Sequence, residues 1–145
     1  MNFLWLMEKN QLGGNMYLFF VADTHDTLDI EDAKYCLGDI YPQLIIGLGD
    51  IGFSDYVALC REYEPIPMGG VLGNHDDKDL LKNLWNRGFK VFDFNKKNFT
   101  FADTKFLGVS GALKYMDNDQ RAFLTQEESV RLFGSGIQIR SPSAR

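Results

Sequence analysis

The stretch "MYLFFVADTH", residues 16–25, decides how the rest of the chain reads. From Met16 to Ala22 it is a continuous apolar, β-prone run, the pattern of a short strand buried on both faces rather than of a strand with one wet side. It stops at Asp23-Thr24-His25, three polar residues unsuited to continuing such a strand. A doubly buried strand implies a parallel sheet with covering layers, so helices should alternate with strands on either side of it.

They do so at the level of pattern. Asp29 can cap a helix whose apolar positions Ile30, Ala33 and Leu37 fall on one side. "LIIGLG" (44–49) reads as the second strand. Ser54 stands where it could cap "DYVALCREY", with Val57, Cys60 and Tyr63 on one helical face. "PMGGVLG" (67–73) is a third strand weakened by its glycines. Asp77 is then expected to cap "KDLLKNLWNR", with Leu80, Leu81, Leu84 and Trp85 as a buried stripe and Gly88 as the stop. The order β-α-β-α-β-α argues for right-handed crossovers and an α/β fold.

Further along, "KVFDF" (90–94) supplies a fourth strand, and "NFTFADTKFLGVSG" (98–111) a hairpin turning at Ala102-Asp103-Thr104. Thr125 and Glu128 have capping-box spacing ahead of a short helix. The chain thus divides into an atypical extension (1–15), a main domain (16–133) and a loose tail (134–145). Residues 1–15, with "QLGGN" as a linker, read as an appended helix or as the product of a mis-set start codon.

Bulk properties narrow the class. The 145 residues suit one domain with a real core, and an apolar share of 45% excludes a disordered chain. Cys36 and Cys60, far apart in helical patterns, read as buried thiols, not as a disulfide framework. The apolar block in "MNFLWLMEKN" is too short for a membrane span and lacks the charges of a signal peptide, so a cytoplasmic protein without membrane association is expected. The net charge of −5 is uneven: residues 1–75 carry −8 and residues 76–145 carry +3. Such an acidic first half is a poor footprint for extended nucleic-acid binding and a reasonable setting for divalent cations.

Ligands of open α/β sheets gather at the carboxyl ends of the parallel strands. Strand one is followed by Asp23-Thr24-His25, strand two by Gly49-Asp50 and strand three by Gly73-Asn74-His75-Asp76. Each alone is an ordinary turn. Together they hold both histidines of the chain. Asp23, His25, Asp50 and Asn74 are therefore the candidate metal ligands. Two carboxylates against two divalent cations leave a net positive site, which would attract a phosphate ester; Asp50, with two oxygens, is the natural bridge. Mixed oxygen and imidazole donors suit manganese, iron or zinc better than calcium. His75 is then free to donate a proton or hydrogen bond to the substrate as the catalytic acid. Asp76 either orients the His75 ring or caps the next helix. Gly49 and Gly73 would allow sharp turns and close metal approach.

At these residues the chain resembles the calcineurin-like metallophosphoesterase family, whose first three signature blocks are Asp-x-His, Gly-Asp and Gly-Asn-His-Asp/Glu. "FLGVSGALKY" (106–115), followed by "FLTQEESVRLF", is also similar to the family's middle region, so the resemblance spans about residues 16–133. It implies an αββα sandwich of two facing sheets. Asp23, His25 and Asp50 would hold a first metal and Asp50 with Asn74 a second, with His75 as catalytic acid. The implied activity is metal-dependent hydrolysis of a phosphate mono- or diester.

Family members carry a further histidine and a Gly-His-x-His block later on, and this chain has no histidine after His75. "IQIRSPSAR" (137–145) matches nothing in the family pattern. The expectation is a C-terminally truncated sandwich with a parallel-rich first sheet, an incomplete second sheet, one tight metal site and weak or lost activity. An open sheet edge would favour self-association or a partner chain. The alternative is a non-catalytic metal-binding or partner-binding remnant.

Overall fold

The computed structural model describes residues 3–11, 14–101, 103–113 and 123–124. Their centre is a five-stranded sheet in the order β1-β2-β3-β4-β5, formed by β1 (Phe3–Gln11), β2 (Gly14–Ala22), β3 (Leu44–Gly47), β4 (Met68–Gly70) and β5 (Val91–Asp93). Strands β2 to β5 run parallel. The crossovers carry α1 (Ile30–Leu37), α2 (Phe53–Tyr63) and α3 (Leu80–Asn86). The alternation expected from the sequence is therefore present in a mixed α/β fold with a mostly parallel sheet.

Strand register explains why β2 from Met16 onward and β3 are apolar. Leu18 pairs with Leu44 and Phe19 with Ile45, so successive residues serve opposite faces. On one face Phe19, Val21, Ile45, Met68 and Val91 meet Ala33, Leu37, Tyr56, Leu59 and Leu84 from the helices. On the other, Met16, Leu18, Leu44 and Ile46 meet Phe94, Phe99 and Phe106. Phe99 and Phe106 come from a hairpin of β6 (Lys97–Phe101) and β7 (Thr104–Gly108), paired antiparallel as expected. Full burial of a Val, Leu, Ile, Phe or Met side chain contributes about 1.5–3 kcal/mol. A short parallel pair, β8 (Ala112–Leu113) with β9 (Phe123–Leu124), was not foreseen.

Helix starts reveal where tertiary contacts replaced local ones. Asp29 caps α1 as expected, accepting from the Glu31 N–H at 2.9 Å. Ser54 does not cap α2. That helix begins at Phe53 behind Gly52, and Asp26 from the turn after β2 accepts from both the Ser54 N–H (3.0 Å) and the Ser54 hydroxyl (2.7 Å). Asp77 accepts from the Asp79 N–H at 2.8 Å, but this closes a turn, and α3 starts only at Leu80. Of its stripe, Leu80, Leu81 and Leu84 are buried while Trp85 is 42% exposed, edge-on to Phe92 with ring centroids 5.3 Å apart. A seven-residue helix has room for one buried face of three leucines, and Trp85 falls on its rim. Gly88 ends the helix at φ 89°, as its position suggested.

The appended helix considered for residues 1–15 is not what residues 3–11 form. They are β1, paired antiparallel with β2 from Phe3↔Ala22 to Gln11↔Gly14. The capping box at Thr125 and Glu128, the tail 134–145 and Ala102 of the hairpin turn lie outside the described residues.

Candidate metal centre

Because β2, β3 and β4 are parallel neighbours, the turns that follow them emerge side by side. Backbone bonds lock the first to the second: Asp23 N–H to Gly49 O (3.0 Å), His25 N–H to Asp50 O (2.9 Å) and Asp26 N–H to Ile51 O (2.8 Å). Thr24, fully buried between Asp23 and His25, donates its hydroxyl to Ile51 O at 3.2 Å. The second turn is locked to the third by Asp76, whose Oδ2 accepts from the Asp50 N–H (2.7 Å) and the Gly73 N–H (2.8 Å).

Within this frame the backbone adopts left-handed conformations at four non-glycine residues: Asp23 (φ 58°), His25 (48°), Asp26 (61°) and Asp50 (54°). Aspartate and histidine tolerate that region better than most side chains, yet each instance costs energy that the surrounding bonds must hold in place. Gly49 goes further, at φ 103°, and a Cβ there would stand 2.7 Å from the Gly73 nitrogen. A Cβ on Gly73 would in turn lie 2.2 Å from Asp50 Oδ1. The two glycines therefore serve the close approach of the turns to one another.

The side chains converge as a result. Single ligand atoms of His25, Asp50 and His75 all lie within 4.8 Å of one another. The two imidazole centroids are 5.3 Å apart, edge to face. Asp50 Oδ1 accepts from the His75 N–H at 2.8 Å, and Asp50 Oδ2 lies 3.3 Å from His75 Nδ1. Asp23 joins through His25, with Oδ1 2.5 Å from Nε2. The Asp50 side chain is largely enclosed at 17% exposure, whereas His25 and His75 are open to solvent. Of the expected ligands, Asp23, His25 and Asp50 are thus brought together. His75, expected as the catalytic acid, lies in the same group. Asn74 shares its turn and is half-buried.

His25, Asp50 and His75 could together hold a metal ion. A cavity of about 390 Å³ at the amino ends of β4 and β5, lined by Cys60, Pro65, Met68, Phe89 and Phe92, contains none of these residues.

Three supporting carboxylates have roles that the sequence reading did not give them. Asp76 neither orients the His75 ring nor caps α3; it is the buried clamp between turns. Burial pushes its carboxyl above the ordinary value, against the pull of the Gly73 and Asp50 N–H bonds. Asp26 caps α2 from a distance, and Asp55, only 4% exposed, accepts from the Leu28 N–H at 3.1 Å. Tyr56 was also missed: its ring fills the space that glycines at 47 and 70 leave, with the hydroxyl where either Cβ would be. Glycine inside two adjacent strand patterns was the available signal.

No family model, curated protein or solved structure matches this chain. Among the described residues no helix is long and apolar enough to cross a membrane.

Proposed function

We propose that the chain is a metal-dependent phosphoesterase of the calcineurin-like metallophosphoesterase type, hydrolysing a phosphate mono- or diester. The observation that carries this reading is the convergence of His25, Asp50 and His75 within 4.8 Å at three successive parallel strand ends, with Asp23 attached to His25. The finer architecture that goes with it is an αββα sandwich. Packing of the β6–β7 hairpin against Met16, Leu18, Leu44 and Ile46, on the face opposite the helices, supports a second sheet there.

Asp23, His25 and Asp50 would hold the first cation, and Asp50 with Asn74 would contribute to a second. A divalent cation so held supplies charge that offsets the phosphate's repulsion of nucleophiles and makes water more acidic. The chain's own groups do the rest. Asp23 fixes the His25 ring. Asp50 turns Nδ1 of His75 inward, which leaves Nε2 as the edge that can protonate a leaving oxygen. The open exposure of both imidazoles gives a substrate access to them.

A second reading is metal binding without turnover, since among the described residues the one group found to suit a cation is His25, Asp50 and His75. Hydrolysis of an aryl phosphodiester in manganese separates the two. The phosphoesterase reading expects a metal-dependent rate that Asp50→Asn abolishes and His75→Ala lowers by about 10²–10⁴-fold, the usual worth of a general acid. Rates equal to the buffer blank in all three proteins would leave binding alone.

A further inference from the structure

We propose that two copies of this chain associate edge to edge through β1, antiparallel, with Trp5 opposite Trp5 of the second copy. The inference stands apart from the metal centre. Strand β1 ends the sheet: β2 takes one side over its whole nine-residue length, and among the described residues no strand takes the other. The far edge is defended differently. There β5 is three residues long and carries Asp93, the short, charged form that protects against added strands. Strand β1 has no proline, and its first five residues, Phe3 to Met7, are apolar without interruption.

The two faces of β1 show what it lacks. Leu4 and Leu6 point to the helix side and pack against its core. Phe3, Trp5 and Met7 point the other way and are 38%, 48% and 39% exposed, with the Phe3 and Trp5 rings stacked 5.5 Å apart. Exposed aromatic and sulfur side chains on an unpaired strand edge are a template for a further strand.

Symmetry selects a second copy as that strand. Antiparallel pairing of two identical edges places a two-fold axis normal to the sheet, so opposed residues keep to the same face. An axis at Trp5 sets Phe3 against Met7 of the second copy and Leu4 against Leu6, and every opposed pair is apolar. Helix-side leucines meet leucines, the exposed aromatic and thioether groups cover one another, and Glu8 falls outside the matched stretch. No like charges are opposed. The segment is its own complement. In this arrangement the two β2 strands run in opposite directions, so the carboxyl edges with their histidines point away from each other and both remain open.

Sedimentation velocity across a concentration series of the full chain tests the proposal. The wild type is expected to show a concentration-dependent dimer. Trp5→Glu, which opposes two carboxylates on the axis, should weaken it at least about tenfold, as loss of a central aromatic anchor typically does, without changing the far-ultraviolet circular dichroism. Trp5→Phe should keep the dimer, as should Leu107→Glu, which charges an exposed residue of β7 instead. Oxidised Trp5→Cys should form a disulfide-linked dimer and Phe3→Cys should not, which checks the register even if Trp5→Glu misfolds. A monomeric wild type throughout, a dimer indifferent to Trp5→Glu but lost in Leu107→Glu, or failure of Trp5→Cys to cross-link would each overturn it.

Discussion

The Asp76 carboxylate accepts the Asp50 N–H at 2.7 Å, so the third strand-end turn holds the backbone of the residue at the heart of the candidate site. The same Oδ2 accepts from Gly73 at 2.8 Å, and Asp76 is only 5% exposed. One buried oxygen thus fixes the spacing between two turns whose side chains must meet. In Asp76→Ala two half-buried N–H groups lose their acceptor, at a cost on the order of 2–4 kcal/mol, which urea denaturation will read. Divalent-metal affinity should fall about 10–100-fold with it, as when second-layer partners of metal ligands are removed.

Gly49→Ala tests the contact between those turns from the other side. With φ at 103° and the Gly73 backbone 2.7 Å from the new Cβ, the substitution is strained in conformation and in space, and a loss of about 1–3 kcal/mol is expected. Gly88→Ala is the control: its φ is 89° and nothing lies within 4 Å, so the conformational strain applies there without the clash. Equal losses in the two variants would contradict the close approach.

The long-range cap on α2 predicts that Asp26→Ala costs about 0.5–2 kcal/mol, the range for a lost N-cap, whereas Ser54→Ala costs less because the Ser54 N–H keeps its acceptor. Thermal denaturation of the two single variants checks the order.

Buried Asp55 gives the protein a pH signature. Burial raises its carboxyl above the ordinary 3.8, ahead of the Thr24 and Leu28 hydrogen bonds that oppose it. The folded chain therefore binds this proton more tightly than the unfolded chain. Its contribution to stability is complete below that ordinary value and is lost as pH rises through the folded-state value. Asp55→Asn should remove this component, so the wild type minus variant difference in unfolding free energy should decline with rising pH above 3.8. A difference that grows with pH in that window would reverse the sign and contradict the account.

What was legible in the sequence was what depends on local order. Apolar runs gave β2 to β5, the Asp29 pattern gave α1, and the polar turns at strand ends gave Asp23, His25 and Asp50 as neighbours once the strands were parallel. What was not legible depends on residues far apart. Ser54 looks like a cap until Asp26, 28 positions earlier, reaches its amide. Trp85 looks like core until the helix proves too short to bury it. Residues 3–11 resemble neither a clean strand nor a clean helix by period, because β1 is apolar on both faces near its start and takes its state from pairing with β2. Sequence order says nothing of which way an imidazole turns; the 3.3 Å contact of His75 Nδ1 with Asp50 could not be read from it.

Manganese titration by calorimetry, on the wild type beside His25→Ala and Asp50→Asn, tests the central claim most directly. Saturable binding of one ion per chain, lost in Asp50→Asn and strongly weakened in His25→Ala while both variants remain folded, is the predicted result. No saturable heat in the wild type, or binding unaffected by either substitution, would contradict a cation site at these three strand ends.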